Sequence, residues 1–187
     1  GKKGRAQLEN IELRPADRAL IDRELIFIDF INVFIKEVEE VIAENFKVSK
    51  NAKHLKTIPG IGQFFSMLID AEIGDINRFR NEKKFAAYIG LVPSTYSSGG
   101  TTVNGRIIKR GNKLLRWAFV EAVIPAIAHD EYMRWEYDKL RQRMNYNKAK
   151  TAMARKLSSI AFKCLKEQRN YKKFNKIELE YKKLGRA

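Results

Sequence analysis

One segment constrains the fold more than any other. Between residues 20 and 45, Ile21, Leu25, Ile28, Ile31, Ile35, Val38 and Ile42 recur at steps of three or four, the spacing of an apolar seam along one side of an α-helix. Phe27, Phe30, Phe34 and Val41 add a second apolar line beside it. A helix with two such faces needs a partner surface, and two are open: the chain's own globular part, or a second copy of the same helix. Asp22, Arg23, Asp29 and Lys36 interrupt the stretch, so no run of about 18 uncharged apolar residues exists and a membrane span is excluded. The reading is a coiled-coil-like helix over 20–45, with Ser49-Lys50-Asn51 as its end and a linker. Self-association through that helix makes a homo-oligomer an expected partner state.

Charge is divided unevenly along the chain. The 187 residues carry 37 Lys and Arg against 22 Asp and Glu, a formal net charge of +15. Residues 1–45 hold 7 basic and 10 acidic side chains, the remainder 30 and 12. Residues 83–120 and 139–166 contain no Asp or Glu at all. A surface built only for solubility interleaves both signs, so the second part of the chain is expected to face a polyanion. Its basic residues sit among Gly, Ser, Thr and Asn rather than beside a lipid-facing apolar stripe, which favours nucleic acid over an anionic membrane. With 44% hydrophobic and 11% aromatic residues, a core is within reach and disorder is set aside. The single cysteine, Cys164, forms no internal disulfide and holds no zinc alone. No metal-ligand set is read anywhere in the sequence. A reducing, cytoplasmic setting fits, and the opening Gly-Lys-Lys-Gly carries no secretion signal.

The fold class is therefore mainly α, in three parts: a helical segment at 1–48, a second unit at 49–171 and a charged tail at 172–187. Within the second unit, helices are predicted at 63–73, 81–89, 112–128, 131–143 and 147–168. The insert at 92–111 holds Pro93, then Ser94, Thr95, Ser97 and Ser98, then Gly99, Gly100, Gly105 and Gly111. Such a composition belongs on a surface loop. Residues 101–108 are read as a small hairpin turning at Asn104-Gly105.

Three motifs in this unit point to phosphate. Thr57-Ile58-Pro59-Gly60-Ile61-Gly62 ahead of helix 63–73 has the form of a helix-hairpin-helix, in which glycines admit a close approach and the amides of the next helix favour an oxygen anion. A Pro-Gly-x-Gly run also serves as a plain helix connector. The Ser/Gly loop is followed by Arg106, Lys109, Arg110, Lys113 and Arg116, cations able to hold a phosphodiester and stabilise charge on it. Serine alone is a weak nucleophile and no base or carboxylate pair adjoins it, so the residues by themselves favour a loop that hydrogen-bonds phosphate over one that attacks it. Asn112 is placed to cap the next helix, with Leu114, Leu115 and Ala118 facing inward. Helix 147–168 sets Lys148, Lys150, Arg155, Lys156, Lys163 and Lys166 around an apolar stripe of Ala152, Leu157, Ile160, Ala161 and Cys164. Cys164, Tyr132, Trp135 and Tyr137 are read as core, and His54 as a surface or capping residue.

The order of these segments resembles one family closely. His54-Leu55-Lys56-Thr57-Ile58-Pro59-Gly60-Ile61-Gly62, Ala71-Glu72-Ile73-Gly74-Asp75, Arg78-Phe79, Tyr88-Ile89-Gly90-Leu91-Val92-Pro93, Ser98-Gly99, Gly105-Arg106-Ile107, Lys109-Arg110-Gly111-Asn112 and Leu115-Arg116 look like the C-terminal domain of insertion-sequence transposases of the 110/116/902 group. That group of DEDD transposases includes the Piv-type invertases and the bridge-RNA-guided recombinases. The resemblance implies a recombinase in which a RuvC-like domain supplies four acidic residues and Mg2+, while this domain supplies a serine that attacks DNA. The family motif sets that serine directly before the loop glycine, which is Ser98 here, with Ser97 its neighbour and runner-up. DNA is the implied partner and a guide RNA a further one, in the nucleoid of a bacterium or archaeon. The 187 residues contain no RuvC-like domain or acidic tetrad, so this chain alone is expected to be inactive and to hold no cofactor. Thr101-Thr102-Val103 also departs from relatives that carry a basic residue there. Nucleic-acid contacts are assigned to Gly60, Ile61, Gly62, Arg106, Lys109, Arg110, Asn112, Lys113, Arg116, Lys148, Lys150 and Arg155.

Overall fold

The computed structural model describes residues 2–98, 101–107, 110–175, 178–180 and 184. It is mainly helical, with one two-stranded antiparallel sheet among the described residues. The chain separates into two compact units, Gly1–Asn45 and Phe46–Ala187.

In the first unit α1 (Lys2–Asn10) is followed by α2 (Pro15–Val48), whose last residues enter the second unit. Pro15 opens α2 at a position where a missing N–H costs nothing, and Asp17 complements the positive helix end. α1 is tied to α2 by the Arg5 guanidinium, which reaches both carboxylate oxygens of Asp29 at 2.6 and 2.8 Å. That hydrogen bonding holds the Asp29 carboxyl below its usual range. Leu25 is buried. Between residues 26 and 41 the large apolar side chains of α2, Phe27, Ile28, Ile31, Phe34 and Ile35 among them, are 40 to 69% exposed.

The second unit is built around α9 (Tyr146–Lys166), whose Ala149, Met153, Leu157, Ala161, Cys164 and Leu165 are buried. α3 (Lys50–Lys56), α5 (Glu82–Ile89), α6 (Lys113–Glu121), α7 (Val123–His129) and α8 (Glu131–Arg141) pack on it, and α4 (Gln63–Ile73) packs on α3 and α6. Ser49, Asn81, Asn112, Asp130 and Asn145 each accept a first-turn N–H of the helix they precede, satisfying donors that the helix itself leaves open. β1 (Pro93–Ser98) and β2 (Thr101–Ile107) pair between α5 and α6.

Four sequence readings need correction. Ser49-Lys50-Asn51 is not a linker: α2 runs to Val48, and Ser49 caps α3, whose Ala52 and Leu55 are buried. The helix predicted over 112–128 is two helices parted at Ala122. Pro125 lacks the N–H that would bond back to the Glu121 carbonyl, so it fits only the first turn of a new helix. The hairpin reverses before Thr101, because Ser98 pairs with Thr101 and Ser97 with Thr102. Asn104-Gly105 therefore lies inside β2, where one extra residue between Asn104 and Ile107 makes a bulge. Leu114 is 48% exposed while Leu115 and Ala118 are fully buried, so only two of the three apolar residues of that turn face the core. Cys164, Tyr132 and Tyr137 are buried and Trp135 is half-buried.

Candidate nucleic-acid interface

The turn joining α3 to α4 is anchored rather than loose. Ile58, Pro59 and Ile61 are buried, and the Ile61 amide donates to the Ile58 carbonyl at 3.0 Å. The two glycines have different surroundings. Gly60 has φ +84°, and a Cβ there would stand 2.1 Å from the Ala122 carbonyl oxygen and 2.8 Å from the Ala126 amide. Its missing side chain lets the turn dock in the opening between α6 and α7. Gly62 precedes α4 with ordinary φ −77°, and nothing lies within 4 Å of a Cβ built on it. Gly62 and the first residues of α4 are thus the open part of the turn, and Ile61 can offer only backbone.

The β1–β2 hairpin rises from a rigid root. Gly90 ends α5 in the left-handed conformation, and the Asn112 amide donates to the Tyr88 carbonyl at 2.8 Å. A Cβ on Gly111 would stand 2.4 Å from the Gly90 amide, so the strands' entry and exit segments are pressed together where only a glycine fits. The Asn112 side chain is used at both ends: Oδ1 accepts the Leu115 N–H at 3.0 Å, and Nδ2 donates to Glu72 at 2.5 Å. Hydrogen bonds with Asn112 and then Arg78 hold the Tyr88 phenol below its usual range. Asn112, assigned above as a nucleic-acid contact, sits as the residue that fixes the hairpin root to α4 and α6. Ser97 and Ser98 close β1 at its far end.

The assigned cations divide into groups. Lys113 and Arg110 are exposed beside the hairpin root, and Arg116 is half-buried with its guanidinium donating to the Ile89 carbonyl at 3.2 Å. Arg106 lies in β2, whereas Lys109 falls outside the described residues. The glycine turn stands at the other end of α6, a nine-residue helix roughly 13 Å long. There Lys150 meets Glu121 at 3.3 Å, with Lys148 exposed and Arg155 half-buried on the same α9. The network of Glu72, Asn112, Tyr88 and Arg78 escaped the sequence reading, since its members are up to 40 positions apart and each looks unremarkable alone. Among the described residues no three His, Cys, Asp or Glu side chains gather as a metal site, and no helix is long and apolar enough to cross a membrane.

Comparison with known proteins gives a consistent picture. Residues 52–138 match the family described as Transposase IS116/IS110/IS902. The chain is 31% identical over 143 residues to the transposase for insertion sequence element IS1111A of Coxiella burnetii, covering 74% of this chain and 39% of that one. It is 33% identical over 133 residues to the transposase for IS1328 of Yersinia enterocolitica, covering 68% and 40%. A probable family 20 transposase of Pseudomonas aeruginosa is 32% identical, covering 74% and 42%. The chain thus spans about two fifths of the length of these relatives.

Proposed function

Because the chain belongs to the IS116/IS110/IS902 transposase family, we propose that it is the C-terminal, nucleic-acid-binding and serine-bearing part of a DNA transposase. The observation that carries this reading is the 83–120 segment: free of Asp and Glu, it holds the Ser/Gly hairpin on a root clamped by Gly111 and Asn112. A clamped root supports a role in chemistry, since a nucleophile must be held in position and a merely adhesive loop need not be. Ser98 Oγ forms a bond to a DNA phosphorus as the bond to one deoxyribose oxygen breaks, the serine proton ending on that leaving oxygen as a free hydroxyl, and Arg106, Lys109, Arg110, Lys113 and Arg116 offset the charge on the phosphoryl oxygens. The α3–α4 turn acts as a helix-hairpin-helix that grips a backbone through Gly62 and the start of α4, and Lys148, Lys150 and Arg155 extend the contact. Among the described residues no three His, Cys, Asp or Glu side chains gather as a metal site; the family resemblance assigns the metal chemistry to a RuvC-like domain. The setting is the bacterial or archaeal nucleoid, with DNA as partner and a guide RNA as the alternative polyanion.

Two measurements test this reading. Binding of the chain to DNA is expected to fall by roughly 10³ between 50 and 200 mM salt, the loss for about six cation–phosphate contacts. An affinity that stays flat over that range removes the basic face as the binding surface. The exposed apolar line of α2 is the proposed self-association seam of a coiled coil. Ile28→Asp with Ile35→Asp is expected to leave a folded monomer in sedimentation, since a charge buried in such a seam is costly. An unchanged oligomer rejects α2 as the seam.

A further inference from the structure

A cleft of about 430 Å³ opens between the second half of α9, the start of α8 and the irregular segment 169–174. Its volume lies in the range of small-ligand sites. One wall is aromatic: the Phe174 ring lies tilted at 50° to Tyr132 with centroids 4.6 Å apart, Lys156 Nζ stands 5.0 Å over the Tyr132 ring, and Tyr171 also lines the cleft. The rim is cationic, with Lys163, Arg169 and Lys172. We infer that this cleft binds one unpaired nucleotide of a nucleic-acid strand, its base against the Phe174 and Tyr132 wall and its phosphate on Lys163 and Lys172.

Three features support this. First, the cleft is built before any ligand arrives. Asn170 Oδ1 is 2.8 Å from His54 Nδ1, the Tyr171 amide donates to Thr57 Oγ1 at 2.8 Å, and the Tyr171 hydroxyl donates to Asp130 at 3.3 Å. The first two bonds tie the segment to α3 and to the residue after it, directly ahead of the glycine turn proposed to grip a backbone, and the third ties it to the cap of α8. A strand leaving that turn therefore has a fixed aromatic seat on the same support. Second, the rim cations are exposed, and so are the carboxylates that two of them bond. The Lys163 side chain is 56% exposed with its nearest Glu82 oxygen at 3.7 Å, beyond hydrogen-bond reach, and the Lys172 side chain is 79% exposed against Glu178 at 3.1 Å. Arg169 pairs with Glu167. Exposed pairs of this kind hold each other weakly, so a phosphate competes for them. Third, the inner wall stays neutral: burial pushes the Cys164 thiol and the Tyr171 phenol upward, the latter helped by Asp130. Among the described residues, Glu82 is the one carboxylate on the lining. An aromatic wall beneath exposed cations is the arrangement that takes single-stranded bases without sequence preference, whereas a base held in a duplex has its faces covered by its neighbours.

The inference rests on the nucleic-acid reading for the source of its ligand, and the experiment separates the two. Fluorescence anisotropy of the full chain compares a blunt DNA duplex with the same duplex carrying a single-stranded overhang, with AMP and inorganic phosphate as competitors. Two variants are used: Lys163→Gln with Lys172→Gln, and Phe174→Leu, which keeps an apolar group for packing and removes the ring; melting checks that each is folded. Affinity for the overhang duplex is expected to drop about tenfold in each variant, with the blunt duplex changed by no more than about twofold. AMP, but not phosphate at the same concentration, should displace the overhang-dependent part. Equal losses on both DNAs, or no loss on either, overturn the inference. AMP binding without any advantage for the overhang also overturns it, in favour of a free-nucleotide site. If the wild-type chain binds neither DNA, the nucleic-acid reading itself fails, and the strand-bound nucleotide fails with it.

Discussion

Gly60→Ala is expected to lower the melting temperature of the chain by roughly 10 °C, and Gly62→Ala by no more than about 2 °C. Two costs add at Gly60. An alanine must hold φ near +84°, a conformation that an L side chain rarely adopts, and its Cβ must find room 2.1 Å from the Ala122 carbonyl oxygen and 2.8 Å from the Ala126 amide. Both neighbours are backbone atoms at the junction of α6 and α7, so neither can swing aside as a side chain would. The sum is roughly 3 kcal/mol or more, and at 2–4 °C per kcal/mol for a chain of this size the shift follows. Gly62 has φ −77° and empty space where a Cβ would be, so alanine there is close to neutral for folding. DNA affinity reverses the order: once each protein is folded, Gly62→Ala is the change that places a methyl group where a phosphate would approach. A Gly60→Ala protein that melts normally yet loses DNA would show that the first glycine serves the ligand and that its packing is incidental.

The two glycines also show how far residues alone could carry the reading. Gly-x-Gly announces a tight turn before a helix, but which glycine is needed by the fold depends on Ala122 and Ala126, more than 60 positions away. Local signals suffice where they are complete. Helix 63–73 has its predicted ends, and Asn112 caps the helix it was expected to cap. α3 was missed because seven residues carry too little periodicity, and burial of Ala52 and Leu55 in the second unit's core stabilises it instead. Asn104-Gly105 is the stronger turn signal in isolation. The pairing of Pro93–Ser98 with Thr101–Ile107 nevertheless places the reversal before Thr101, and the glycine falls in the stretch where the register shifts by one residue. The anchoring of segment 169–174 through His54, Thr57 and Asp130 joins residues 41 to 116 positions apart, a distance at which pattern in one sequence is silent.

Ser98→Ala is expected to reduce DNA strand transfer by roughly three orders of magnitude or more when the chain is supplied with the RuvC-like domain that the family reading calls for, while DNA affinity stays within about twofold of wild type. A neutral hydroxyl adds little to binding beside so many cations, whereas the step that bonds phosphorus is lost with the oxygen that makes the bond. Ser97→Ala is the matched control, because the two serines occupy successive register positions, Ser97 opposite Thr102 and Ser98 opposite Thr101. Each substitution removes one hydroxyl and leaves the Cβ in place, and only one removes the proposed nucleophile. The root held by Gly111 and Asn112 is untouched by either, so loss of activity cannot be charged to a collapsed insert. The readout is a covalent protein–DNA adduct trapped by denaturation. It should persist in Ser97→Ala and vanish in Ser98→Ala. An adduct that survives Ser98→Ala and disappears with Ser97→Ala moves the nucleophile one residue back, and an adduct indifferent to both removes this hairpin from the chemistry.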